Sequence, residues 1–401
     1  ILVERGKDVS ERKRDIATLA KEHIVDPESN YCHGEGGAGT FSDGKLTSRS
    51  KHISKERNFI LQEYVKAGAP EEILYMAHPH VGTDNLKIMV ANLRKTFTDN
   101  GGEFNFNTCL EDIVVKSGKI DKIVCNTGIM EADHFILAIG HSAYETYRML
   151  IGKGIQFGTK NFAIGHRIEH PQKIINLAQW GREQIAGLKA AEYRLATKTN
   201  AGLPVYTFCM CPGGTVVPAA YEEKSVVNGM SYYNRDGEFS NAGCVVGVHP
   251  DMLLGKKATA LEILDWMDKM EESFYSFSSG YTIAANKVKD YQNKKASKSI
   301  GKVSYPLGIQ AADLHNMLPD FVTNSISEGI NHFTRKLKGF DEGVLMGFES
   351  KTSSPIQIQR EKDGRCSGFD NLYFVGEGSG FTGGIISSAA DGVKCAMTLI
   401  G

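Results

Sequence analysis

Asn371-Leu-Tyr-Phe-Val-Gly-Glu-Gly-Ser-Gly-Phe-Thr-Gly-Gly-Ile-Ile-Ser-Ser-Ala-Ala-Asp391 is the stretch whose reading decides the fold. Its apolar run, Leu372 to Val375, reads as a short buried strand that stops at Gly376. Glu377 then stands among glycines, and Ile385, Ala389, Val393 and Ala396 follow at helical spacing after Gly383-Gly384. A strand feeding a glycine-rich turn and a helix aims backbone N–H groups and the positive end of the helix dipole at one spot. Without β-carbons at Gly383 and Gly384, a flat or anionic ligand can approach the backbone closely, and Glu377 offers acceptors for ligand hydroxyls.

Composition sets the bounds. The chain of 401 residues is long enough for two domains, or for one large domain with an insertion. Its 46 basic and 47 acidic side chains nearly cancel without a basic block, so charge does not suggest nucleic acid. No apolar run approaches the roughly 20 residues of a membrane helix. The 8 cysteines are scattered without C-x-x-C pairs, which fits reduced thiols in a cytoplasm and gives no metal site.

The first third alternates helical and strand patterns. Lys7 to Glu22 is highly charged and reads as a helix or surface loop. Ser54 to Ala67 reads as a helix with Phe59, Ile60, Tyr64 and Val65 inward, and Thr83 as the cap of another. Glu103 to Asn107 alternates like a strand, and 113–116, 119–126 and 129–139 form a three-stranded meander ending at Gly140. Farther on, Ala258 to Phe277 is a long helix with Leu261, Ile263, Leu264, Met267 and Met270 inward.

Val375-Gly-Glu-Gly-Ser-Gly-Phe-Thr-Gly-Gly-Ile385 resembles the C-terminal flavin motif of FAD-dependent oxidoreductases in the glutathione-reductase-like superfamily. Ile1-Leu-Val-Glu-Arg-Gly6 resembles the second strand of a Rossmann unit, and Ala132-Asp-His-Phe-Ile-Leu-Ala-Ile-Gly140 the element that returns to the main sheet. Six further segments occur in order: Gly36-Gly-Ala-Gly-Thr-Phe-Ser-Asp-Gly-Lys-Leu-Thr-Ser-Arg49, His141-Ser-Ala143, Gly165-His-Arg-Ile-Glu-His-Pro171, Cys209-Met-Cys-Pro-Gly-Gly214, Asn228-Gly-Met-Ser231 and Glu349-Ser-Lys-Thr-Ser-Ser-Pro355. Together they resemble the bacterial FAD-dependent dehydrogenase family, also described as NAD(FAD)-utilising dehydrogenases. Family members carry a G-x-G-x-x-G loop upstream of the ribose-binding strand; none stands there in this sequence, which predicts a further segment before Ile1.

The resemblance implies an α/β fold: a Rossmann-like FAD/NAD(P)-binding domain of the three-layer β/β/α type, formed by 1–155 and 340–401, with an inserted α+β substrate or cap domain at 156–339. It assigns FAD to Glu4 and Arg5 at the ribose-binding strand, Gly36, Gly37, Thr40 and Lys45 in the following loop, Val114 and Gly140 near the meander, and Gly376, Glu377, Gly383, Gly384 and Ile385 at the last turn. It further implies a flavin-dependent oxidoreductase acting on a small molecule, with NAD(P)H as a candidate electron partner. A tRNA-modifying flavoenzyme and a non-catalytic flavin subunit are the alternatives, and the oligomeric state is open.

Three motifs carry two readings each. The 36–49 loop, with Lys45 and Arg49 as cations, wraps a flavin or is a long structured turn. Arg167 and His170, with Glu169, line a pocket as anion clamp and proton donor, or form an internal pair with a capping histidine. Cys211, beside Cys209 and before a Pro-Gly-Gly turn, is an activated thiol or a small buried side chain. On a regular strand the two thiols belong to α-carbons about 6–7 Å apart, at the edge of disulfide reach.

Overall fold

The computed structural model describes residues 1–401 apart from 49, 51, 220 and 279. Its largest element is a seven-stranded sheet in the spatial order Ile309–Ala311, Ile283–Lys287, Val344–Glu349, Phe162–Pro171, Phe239–Val248, Pro204–Cys211 and Ala196–Lys198. All neighbours are antiparallel except the parallel pair at the Ile309–Ala311 edge. The sheet's last strand in chain order, Val344–Glu349, lies beyond residue 339, so the sheet continues past the boundary placed from sequence.

Both faces of this sheet are covered. Helices Ala260–Ser278 and Asp320–Lys336 bury Ile263, Leu264, Met267, Val322, Ile326, Ile330 and Phe333 in a core that includes the sheet residues Ile164, Ile168 and Val246. Leu261, assigned inward by its spacing, is instead 39% exposed. Over the other face lies the Gly214–Pro218/Val227–Ser231 hairpin, whose Val216, Val217 and Val227 pack with Met346, Leu19 and Phe41. This cluster ties the first helix, Val9–Glu22, and the loop after it to the sheet.

The remaining strands are short. Leu2–Val3 pairs in parallel with Phe104–Asn105, and Phe135–Leu137 in parallel with Leu372–Phe374. Leu110–Lys116, Lys119–Cys125 and Gly128–Met130 form the expected antiparallel meander, which ends earlier than its apolar pattern because the chain turns to the parallel pairing at Phe135. Helices Ser54–Lys66, Thr83–Asp99 and Ile385–Ile400 share a second core containing Ile60, Leu61, Leu86, Met89 and Ile386. Phe59 is exposed, with Leu61 in its place inside. Gly82, not Thr83, caps the Thr83–Asp99 helix; the Thr83 hydroxyl donates to the Thr40 carbonyl at 3.0 Å.

Candidate functional site

The last helix begins without a side-chain cap at Gly384, so its leading N–H groups lack that partner. The preceding turn is rigidly held. Gly376 donates its N–H to Asp391 at 2.8 Å, and Arg360 grips Asp391 with two nitrogens at 2.9 and 2.8 Å. A β-carbon on Gly378 would stand 2.4 Å from the Gly140 carbonyl oxygen, so only glycine lets these two turns meet. The Tyr147 hydroxyl bridges the same two carbonyls, Gly140 at 2.5 Å and Gly378 at 2.9 Å.

Around the helix start the backbone is bare. A β-carbon on Gly383 would meet only a Glu377 oxygen at 3.9 Å, and one on Gly384 only Ser387 at 3.8 Å. Gly39 faces Ile385, its nearest neighbour at 3.7 Å, and Gly37 has no neighbour within 4 Å of its β-position. The 36–41 loop and the helix start thus border a groove in which Gly37, Gly383 and Gly384 carry no side chain and the Ile385 side chain lies against Gly39. At one end Glu377 lies 3.3 Å from His141 Nδ1, while His141 Nε2 is buried without a hydrogen-bond partner.

Arg12 sets the loop's shape. This wholly buried guanidinium donates to the carbonyls of Asn30 (2.9 Å), Gly34 (3.3 Å), Gly37 (3.1 Å) and Glu35. No peptide among the described residues is cis. In a trans peptide the N–H points opposite its carbonyl, so the N–H groups of Gly36 and Ala38 face away from Arg12. Desolvation pulls the Arg12 pKa down to about 10, which leaves it charged at neutral pH.

The other residues assigned to FAD from sequence are distributed as follows. Glu4 accepts the Gly6 N–H at 2.7 Å, and burial raises its pKa. Arg5 pairs with Glu28 at 2.6 Å and with Glu145. Val114 lies within the meander, paired with Lys122. The Thr40 hydroxyl reaches the Glu35 carbonyl at 3.4 Å. Lys45 turns from the groove toward Asp43 (2.8 Å) and the Met210 carbonyl. Arg49 lies outside the described residues.

Asp43 had no role in the sequence reading, yet it joins the loop to the sheet side. Its buried carboxylate accepts two bonds from Arg235 at 2.9 and 2.7 Å and one from Ser231. Burial opposes the charge, but Lys45 and Arg235 outweigh it and hold the pKa well below the usual carboxylate range. Lys351 was missed as well. Its ammonium lies 2.8 Å from Glu271, 2.9 Å from the Tyr144 hydroxyl and 3.3 Å from that of Tyr221.

The pocket-wall reading of Arg167 and His170 is corrected by their burial: neither reaches a surface. On the central strand their side chains leave opposite faces. Arg167 donates to Asn241 (2.8 Å), Glu349 (3.0 Å) and the Cys209 carbonyl (2.8 Å). Desolvation works against its charge, but Glu349 and the neighbouring thiols raise its pKa above the ordinary value. Burial also pushes the Glu349 carboxyl up, only partly offset by Arg167. Glu169, the expected partner, accepts instead from the Ser304 N–H at 2.9 Å and its hydroxyl. His170 bonds the Phe340 carbonyl through Nε2 at 2.8 Å, and desolvation lowers its pKa to about 4. A neutral, enclosed imidazole is a poor proton donor to any ligand.

Among the described residues no helix is long and apolar enough to cross a membrane. Residues 161–352 match the family described as "FAD-dependent protein, C-terminal domain-like". Across its whole length the chain is 42% identical to an uncharacterized protein of Clostridium beijerinckii, covering 76% of that protein. Among solved structures, glycine oxidase from Bacillus cereus aligns over 99% of this chain and 94% of its own, at 10% identity and a TM-score of 0.38. L-proline dehydrogenase from P. horikoshii aligns over 97% and 77%, at 10% identity and a TM-score of 0.36. Likenesses this distant do not bear on substrate or reaction.

Proposed function

Since the chain belongs to the family of the Clostridium beijerinckii protein and carries an FAD-dependent protein C-terminal-like domain, we propose that it is an FAD-dependent oxidoreductase acting on a small molecule. The observation that carries this reading is the glycine-lined groove between the 36–41 loop and the uncapped start of the last helix. A flat, partly anionic isoalloxazine suits such a floor, and the helix dipole favours negative charge on it. Glu377 and the unpartnered His141 Nε2 would take its polyol chain, the carboxylate accepting hydrogen bonds from its hydroxyls. When bound, the flavin supplies the two-electron chemistry, while the chain orients it and keeps one edge against fixed N–H groups.

In this proposal the two parallel pairs and the meander belong to a Rossmann-like, three-layer FAD domain, with Glu4 and Arg5 toward the ribose and Val114 toward the adenine. The seven-stranded sheet is the inserted substrate or cap domain. NAD(P)H is proposed as a transient electron donor to the bound flavin, and a cytoplasmic setting is proposed with it, in keeping with the free thiols.

Gly383→Val tests the groove. It adds a branched side chain where a β-carbon meets nothing closer than 3.9 Å, so the fold should tolerate it while flavin retention is lost. Absorbance of the purified variant after FAD loading, beside its melting temperature, is the readout. A yellow, fully loaded G383V protein would remove the groove from the flavin site.

A further inference from the structure

Cys209 and Cys211 do not lie on a regular strand. The pairing of Pro204–Cys211 with Phe239–Val248 shifts register between Phe208 and Cys211, and Cys209 takes a left-handed φ of 43°. Only a few per cent of residues other than glycine adopt that region. The bulge departs from the regular spacing that would hold the thiols apart, and the Cys211 thiol turns back onto the Cys209 residue. Cys211 Sγ also lies 3.3 Å from the Cys209 carbonyl oxygen and 3.5 Å from Arg167 Nη2.

The two sulfurs are not equivalent. Cys211 is fully buried, whereas Cys209 keeps partial access to solvent. Arg167 and Lys45 bring positive charge to the pair, and Asp43 and Glu349 are the nearby carboxylates, each engaged by one of those cations. Interaction with the Cys211 thiol, aided by the two cations against desolvation and Asp43, draws the Cys209 pKa down to about 6. The same interaction, with burial, pushes Cys211 up.

We propose that Cys209 and Cys211 form a redox-active dithiol that exchanges with small disulfides, Cys209 attacking and Cys211 resolving. The Cys209 thiolate attacks one sulfur of R–S–S–R′, forming a mixed disulfide and expelling R′–S⁻. That thiolate takes the Cys211 proton and leaves as R′–SH. Cys211 then attacks Cys209 Sγ, closing the Cys209–Cys211 disulfide and expelling R–S⁻, which is protonated by solvent. The substrate disulfide gains two electrons and the protein loses two. Excess thiol of the same class runs the sequence backwards. No flavin enters these steps, so the pair is testable independently of the FAD reading.

The test treats the full chain with oxidised glutathione, alkylates it in denaturant, and maps peptides by mass. Two of the 8 cysteines should escape alkylation, joined as Cys209–Cys211, in a proportion that follows the ratio of oxidised to reduced glutathione. Cys211→Ser should trap glutathione on Cys209, while Cys209→Ser should take up none at Cys211. All eight cysteines remaining alkylatable, or a bridge between other residues, would overturn the proposal. In a second arm, the rate of Cys209 alkylation in the native wild-type protein should rise with a midpoint near pH 6 and shift upward in Cys211→Ala. A wild-type midpoint at or above the ordinary thiol value of ~8.5 would overturn it as well.

Discussion

Arg12 and Arg167 are both wholly buried, and their surroundings treat the charge in opposite ways. Arg167 meets a carboxylate, Glu349, inside a sheet covered on both faces. Arg12 has backbone carbonyls as its hydrogen-bond acceptors and the Phe41 ring 4.7 Å from its guanidinium carbon. The first arrangement closes a structure: donors and acceptors meet and nothing is presented outward. The second shapes one, because turning the carbonyls of Glu35 and Gly37 inward leaves the following N–H groups directed elsewhere. A buried cation can therefore fill a core or hold a loop open, and its acceptors tell which.

The largest effect that would sharpen this contrast is expected at Arg167. Replacing it with Leu strands Glu349 in the core and should cost about 3–5 kcal/mol in chemical denaturation. Adding Glu349→Leu should recover much of that loss, because the stranded charge is then gone. A double variant no more stable than the single one would break the closed-network description.

Next comes pH. Burial raises the Glu169 pKa from 4.5 to about 7, against the hydrogen bonds from Ser304. The folded protein thus favours protonated Glu169: this stabilisation is fully present below pH 4.5 and is lost as pH rises through about 7. Its full extent is on the order of 3 kcal/mol. Denaturation from pH 5 to 8 should show the decline in wild type, and Glu169→Gln should flatten that component. The Arg12 loop should show no matching change, since its guanidinium stays charged throughout that range.

The smallest effect on stability is expected for Arg12→Lys. An ammonium keeps the charge but cannot span four carbonyls with a planar fork, and a loss of about 2 kcal/mol follows. Flavin retention should fall more than stability does, because the loop loses its shape before the core loses its packing. Equal FAD retention in R12K and wild type would show that other contacts set the loop.

Much of the local structure was legible because its signals are local. The strand, glycines and helix at 371–400, the antiparallel meander and the long helix near 260–278 all follow from short-range spacing. Arg12 was not legible: it stands in Ser10-Glu-Arg-Lys-Arg14, which reads as a solvated face, and its acceptors lie 18 to 25 residues away. Arg167 and His170 were placed correctly on a strand, but whether a strand faces a pocket depends on what covers it. Here the covers come from the distant Gly214–Pro218/Val227–Ser231 hairpin and from the Ala260–Ser278 and Asp320–Lys336 helices. The bulge at Cys209 was equally hidden, since Cys-Met-Cys carries no glycine to announce a positive φ.

One pairing has a consequence for how the middle of the chain is held. Phe157–Thr159 runs antiparallel to Ile356–Ile358, and the Lys160 N–H bonds the Pro355 carbonyl at 3.0 Å. Nearly two hundred residues therefore depart and come back through a single doorway, with both jambs hydrogen-bonded together. The same stretch also reaches back to the first residues, where Val216 and Val227 share a core with Leu19 and Phe41 and Arg235 holds Asp43. The middle stretch thus leaves the frame by one doorway and is fastened to it a second time from within.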